Sequence, residues 1–128
     1  MVEEELHRLA RESRAVNVRF DGYGSDRMLG ALLARTPGFA GGDLVAAERH
    51  FIAARTGAPD DARNDVRMAA EYAVATQDRE LYEELLNHAL EGASSVPEQI
   101  CARRQAVQLF SKVEKFFPLE PGADTNPD

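Results

Sequence analysis

The feature that most constrains this chain is the placement of its helix-breaking residues. Most of its nine glycines and six prolines fall into a few short stretches, and the long segments between those stretches contain neither. Within these segments apolar residues recur every three or four positions, which is the spacing of an amphipathic helix. No segment alternates polar and apolar residues over a sustained length, so we expect no β-sheet. The sequence predicts an all-α fold.

The breaks divide the chain into about six predicted helices. In chain order they are Val2 to about Val18, the segment between residues 26 and 36, the segment between residues 43 and 56, the segment that begins at residues 60–61, the segment from Asp78 to Gly92, and the segment from residue 95 to Phe117. Asp43, Asp60 or Asp61, and Asp78 stand where an acidic N-cap is expected. Ser95 and Glu98 form a capping-box pattern around Pro97, which takes the first helical position.

Length and charge exclude several classes of protein. A chain of 128 residues suffices for one domain, which we expect over residues 1–117, with a disordered tail over residues 118–128. The net charge of −7 disfavours binding to nucleic acid, and no apolar run is long enough to insert into a membrane. The single cysteine, Cys101, excludes a disulfide scaffold and a zinc finger.

The N-terminus carries no visible export signal. Residues 1–5 have neither the basic nor the apolar region of a secretory leader. As written, the chain is expected in the cytoplasm, and in the periplasm if an export signal has been removed.

An internal period relates the helices to one another. Phe51 and Leu85 lie about 34 residues apart, which is the length of a tetratricopeptide (TPR) unit. The first unit carries small and bulky apolar residues where that repeat packs its helices: Leu29, Gly30, Leu33, Ala47, Phe51, Ala54 and Pro59. The second carries Met68, Ala69, Tyr72, then Leu81 or Tyr82, Leu85 or Leu86, and Ala89. We therefore expect a TPR-like stack of antiparallel helix hairpins with a C-terminal capping helix.

Three stretches carry a resemblance to a known family: residues 21–30, the loop Pro37-Gly38-Phe39 leading into Gly42-Asp43, and residues 70–82. Together they resemble the T-component (TatT-like) proteins of TRAP transporters over roughly residues 20 to 92. The resemblance implies an exported, often lipid-anchored helical-repeat protein that associates as a trimer and binds a periplasmic solute-binding protein. It implies an accessory protein-binding component as the function of this chain.

No set of residues predicts catalysis, a metal site or a cofactor. His7, His50 and His88 lie on three different predicted helices without a metal-ligand spacing, and we interpret them as surface or packing residues. Adjacent carboxylates such as Glu83 and Glu84 point to different sides of a helix. We expect a protein that is not an enzyme.

The predicted binding surface is basic. Arg27, Arg35, Arg63 and Arg67 are expected on or near the concave side of the stack, with small alanines between them. Arginine forks suit carboxylates, and alanines leave room for a partner's backbone. The alternative is that the arginines are solvated or paired with acids such as Asp26, Asp65 and Glu71.

Two further alternatives remain open. The stack could enclose a small apolar ligand, lined by Met28, Phe39, Tyr72 and Tyr82. The apolar stripe of the sixth helix is expected to pack on the last hairpin, with a homo-oligomer contact through Phe116 and Phe117 as the alternative.

Overall fold

The computed structural model describes residues 4–5, 8 and 23–118. In this part of the chain the structure is all-helical and contains no strand, which confirms the predicted fold class. The predicted first helix, Val2 to Val18, lies largely outside the described residues, as does the predicted tail beyond Pro118. No helix of the described part combines the length and apolar character needed to cross a membrane.

The helices follow one another with short connections. They are α1 (Gly24–Arg35), α2 (Leu44–Gly57), α3 (Ala62–Met68), α4 (Arg79–Glu91), α5 (Pro97–Ser111) and α6 (Val113–Phe116). A 3₁₀ turn, Gly38–Ala40, lies between α1 and α2, and α3 continues into a π-helical stretch, Ala69–Ala73, which the sequence did not predict.

Acidic side chains begin three of these helices, as predicted. The carboxylate of Asp43 accepts hydrogen bonds from the amides of Val45 and Ala46 at the start of α2. Asp61 accepts from Arg63 at the start of α3, and Asp78 accepts from Leu81 at the start of α4. Each bond satisfies a backbone donor that the first helical turn leaves without a partner.

The predicted capping box at the start of the last long helix is wrong by one residue. Helix α5 begins at Pro97 as expected, but its N-cap is Val96, which makes no side-chain cap bond. A proline pushes the residue before it into extended backbone, which is the conformation of Val96. The cap position therefore falls on Val96 instead of Ser95. The predicted sixth helix also ends early, because the backbone at Lys112 separates α5 from the short α6.

Helices α1 and α2 form an antiparallel hairpin with a close contact at its centre. The amide of Asp43 donates to the carbonyl of Leu33 at the connecting end, and the Tyr23 ring lies against Gly57 at the open end. Between them the fully buried ring of Phe51 packs over Gly30. The helices approach this closely because glycine has no Cβ.

A second hairpin, α3 with α4, stacks on the first. Nη1 of Arg27 on α1 lies 2.7 Å from Oδ1 of Asn64 on α3, 37 residues along the chain. About two turns further, Nη2 of Arg35 lies 2.8 Å from Oε2 of Glu71, 36 residues along. Since both contacts have nearly the same offset, α1 and α3 run parallel.

Helix α5 packs on the second hairpin and contacts both α3 and α4. The Gln99 side chain on α5 donates to Oδ1 of Asp61 at the start of α3 over 2.9 Å. The two residues lie 38 positions apart in the sequence. Tyr82 on α4 donates its hydroxyl to the carbonyl of Leu109 over 2.6 Å, and its ring meets the Phe117 ring edge-on at 4.9 Å. Phe116 also packs against this core, so the short helix α6 lies on the last hairpin, as the sequence predicted.

Candidate partner-binding groove

A groove runs between three of the helices, α1, α3 and α5. It has a cavity volume of about 490 Å³. Its lining residues are Arg27, Arg63, Val66, Arg67, Pro97, Glu98, Cys101, Ala102 and Gln105. The stacking brings three of the four predicted binding arginines together, and two of them, Arg63 and Arg67, share a face because they lie one turn apart on α3.

The floor of the groove is apolar and made of small side chains. Val66 on α3 and Ala102 on α5 are buried, and both line the cavity. Side chains of this size hold the two helices close together and leave space above them. The groove is therefore a shallow apolar trough between charged rims.

Two of the groove arginines are held by neighbouring side chains. Arg27 donates to the amide oxygen of Asn64, which is itself buried and donates to the carbonyl of Ala54. Arg63 donates two hydrogen bonds to the carboxylate of Asp61, from Nε to Oδ1 over 2.9 Å and from Nη2 to Oδ2 over 2.7 Å. These bonds fix the positions of both guanidinium groups.

The Asp61 carboxylate stays ionised in this setting. Burial alone would raise the pKa of Asp61, but the hydrogen bonds from Arg63 and Gln99 together outweigh burial and hold that pKa below its usual range. The Asp61 anion thus neutralises Arg63 at the end of the groove.

Arg67 differs from both neighbours. Its side chain is exposed on α3 and makes no hydrogen bond or ion pair with any other residue in the described part of the chain. Its guanidinium therefore keeps its hydrogen-bonding capacity for a ligand.

Arg35 lies outside the groove. It pairs with Glu71 across α1 and the π-helical stretch, and this hydrogen bond raises the pKa of Arg35 above its usual value. Pairing with a nearby acid, which is the alternative interpretation of the arginines, thus describes two of them: Arg35 pairs with Glu71, and Arg63 pairs with Asp61. Of the other two acids named for that alternative, Asp26 contacts His50, and Asp65 contacts His88 and Arg55.

Two equivalent aspartate–histidine pairs were not predicted from the sequence. Nδ1 of His50 lies 2.9 Å from Oδ1 of Asp26, and Nδ1 of His88 lies 2.8 Å from Oδ2 of Asp65. In each hairpin the buried aspartate is on the first helix and the half-buried histidine on the second. The available signal was the spacing, since the partners lie 24 residues apart in the first hairpin and 23 in the second.

Asp65 also connects the two hairpins. Nε of Arg55, at the end of α2, donates to Oδ1 of Asp65 over 2.7 Å. A second cavity of about 410 Å³ lies beside this cluster, where the α2–α3 and α4–α5 connections meet, and Asp65 and His88 are among its lining residues. The buried carboxylate is engaged on both oxygens, so its role in the structure is to hold three helices together.

The four side chains proposed to line a small-ligand cavity do not come together at either cavity. Tyr82 is fully buried in the core, whereas Phe39 is 95% exposed in the turn after α1. Met28 is exposed on α1, and Tyr72 is half-buried in the π-helical stretch. Among the described residues, no group of three or more His, Cys, Asp or Glu side chains could hold a metal ion.

Comparison with known proteins assigns a family. The family model described as TRAP transporter T-component matches residues 14–117, which is well over half of the chain. No curated protein matches the chain.

Proposed function

Because this chain belongs to the TRAP transporter T-component family, we propose that it is a non-enzymatic accessory component of a TRAP-type transporter that docks the transporter's solute-binding protein. The observation that carries this proposal is the groove across α1, α3 and α5, in which Arg67 is exposed and has no partner among the described residues. Docking of this kind needs a preformed surface and no chemistry.

The proposal includes a TPR-type stack as the scaffold of the groove. Two features support it: the parallel first helices are offset by 36 to 38 residues, close to a repeat unit, and Phe51 nests on Gly30 inside the first hairpin. In such stacks the first helices line the concave face, which is a common site for partner segments. Residues 1–117 would then form one domain.

Location and assembly follow from the same proposal. A component that meets a solute-binding protein works in the periplasm, and we propose that location for this chain. We also propose that it forms a homo-oligomer, as the family resemblance implies. The carrier hypothesis has no comparable support, because its four lining residues are dispersed.

Calorimetric titration with the solute-binding protein encoded nearest to this chain's gene tests the proposed function. We expect a saturable complex, and we expect none with a solute-binding protein of an unrelated transporter class used at the same concentration. Failure of the neighbouring protein to bind, in the presence or absence of its solute, would contradict the docking function. Native mass spectrometry of the purified chain would reveal extra mass if it carried a small ligand instead.

A further inference from the structure

We propose that the groove between α1, α3 and α5 recognises a short acidic segment of the partner, with a carboxylate on Arg67 and a small apolar side chain over Val66 and Ala102. This inference rests on the proposed function, since it specifies what the docked protein presents. It commits to a segment and not to a folded domain, because the cavity of about 490 Å³ has the size of a small-molecule pocket.

The groove is basic although the chain as a whole is acidic, and this difference favours an acidic ligand. The whole chain has a net charge of −7, yet the groove lining contains three arginines and a single acid, Glu98. Asp61 offsets Arg63 and Asn64 holds Arg27, so the exposed Arg67 is the cation that a ligand meets in this lining. An acidic segment is repelled by most of the molecule and attracted here, so electrostatics both selects the segment and directs it to this face.

Arg67 differs from the other two groove arginines in its hydrogen bonding, and this makes it the site for the carboxylate. A guanidinium offers a planar fork of donors that matches a carboxylate in two parallel hydrogen bonds. Arg27 and Arg63 are engaged with Asn64 and Asp61, whereas Arg67 has no such partner in the described part of the chain. Arg67 is therefore the guanidinium that gains most by binding an anion.

The apolar floor of the groove favours a small apolar side chain in the bound segment. Val66 and Ala102 are buried side chains without polar atoms, so a polar side chain placed over them would lose hydrogen bonds to water. A small apolar side chain would not, and it would let the segment's backbone lie close to α3 and α5. The recognised segment thus combines an acidic residue with small apolar neighbours.

Cys101 provides a reporter inside the groove. It is the sole cysteine of the chain, it is exposed, and it belongs to the groove lining. The experiment measures its alkylation rate by iodoacetamide with and without an amidated peptide that alternates glutamate and alanine. The comparison peptide has glutamine in place of every glutamate.

We expect the glutamate peptide to slow alkylation and the glutamine peptide to leave the rate unchanged. Arg67→Glu should weaken the protection about tenfold or more, because it replaces a charge-assisted bond by a repulsion. The matched control is Arg104→Glu, which makes the same charge change at an exposed position of α5 outside the groove lining. Protection should persist in this control, and thermal unfolding of both variants monitors their folding.

Three outcomes would overturn the inference: no protection of the folded wild-type chain by the glutamate peptide, equal protection by both peptides, or equal loss in the two variants. The calorimetric titration separates this from the proposed function. If the solute-binding protein binds wild type and Arg67→Glu equally well, the inference fails and the docking function stands. If it does not bind wild type, the docking function fails, whatever the peptides do.

Discussion

At the residue scale, the structure depends on a few side chains placed where only one size fits. Gly30 is buried on α1, and an added Cβ would lie 2.8 Å from ring atoms of Phe51. The Phe51 ring is fully buried and has no space to move away. The sequence predicted that small and bulky residues meet where the helices pack, with the aromatic between adjacent hairpins, and the structure places Phe51 on Gly30 inside one hairpin.

Gly30→Ala should therefore destabilise the chain. Overpacking costs about 1 to 3 kcal/mol, and the gain in helix propensity returns about 1 kcal/mol at most, so we expect a net loss of about 1 kcal/mol in the free energy of unfolding. Urea denaturation followed by circular dichroism measures it. Gly38→Ala is the control, since nothing lies within 4 Å of a Cβ at that position. Equal stabilities of the two variants would contradict the close contact.

The contribution of Tyr82 to stability depends on pH, because this side chain is buried. Its ring is in the core and its hydroxyl donates to the carbonyl of Leu109, and burial raises the pKa of Tyr82 to about 12 from 10.0. The unfolded chain loses the hydroxyl proton at a lower pH than the folded chain does. Between about pH 10 and about pH 12 the unfolded chain therefore binds fewer protons than the folded chain. The contribution of Tyr82 to stability is thus constant below about pH 10 and is lost as the pH rises toward about 12.

We expect the free energy of unfolding of wild type to fall more steeply than that of Tyr82→Phe between about pH 10 and about pH 12. Urea denaturation at a series of pH values gives both slopes. Other groups that titrate in this range are present in both proteins and cancel in the comparison. Parallel slopes would show that the Tyr82 hydroxyl ionises at its ordinary value.

At the residue scale the sequence was least informative about buried polar groups. Asp26, Asn64 and Asp65 are all buried. Polar residues of these types are usually exposed, so hydropathy does not place them in a core. Their burial is possible because each meets a hydrogen-bond partner from another helix.

At the element scale, the helix boundaries were mostly local in origin and the contacts between helices were not. Acidic caps began α2, α3 and α4 as predicted, because a cap is a bond between residues two or three positions apart. The break at Lys112 and the π-helical stretch were not predicted, since no glycine or proline marks either one. We attribute both to packing against neighbouring helices, which can override local preference.

Asp65 on α3 joins that helix to α2 through Arg55 and to α4 through His88. Asp65→Ala removes the acceptor shared by Arg55 and His88, and we expect a loss of about 2 kcal/mol in the free energy of unfolding. Asp60→Ala is the matched control, because Asp60 is exposed just before α3. Chemical denaturation compares them, and a loss in Asp65→Ala no larger than that in Asp60→Ala would show that the cluster does not hold the hairpins together.

At the scale of the whole molecule, a basic groove stands on an acidic chain. Arg27 and Arg67 come from different helices and meet only because α1 and α3 run parallel with an offset of 36 to 37 residues. Three of the four predicted arginines line this groove, and the fourth, Arg35, lies outside it and pairs with Glu71. The proposed docking function and the proposed acidic segment are both tested at this scale, by the titration and by the Cys101 footprint.

The sequence by itself determined the helical class, the positions of three helix starts and the burial of Ala47 and Phe51, because each follows from spacings of a few residues along one helix. Only the tertiary structure decided which arginines share a surface, which one is left without a partner among the described residues, and which aspartates meet histidines. Those outcomes depend on the offset between stacked helices. A shift of one residue rotates a side chain by about 100° around its helix, so spacing alone does not specify them.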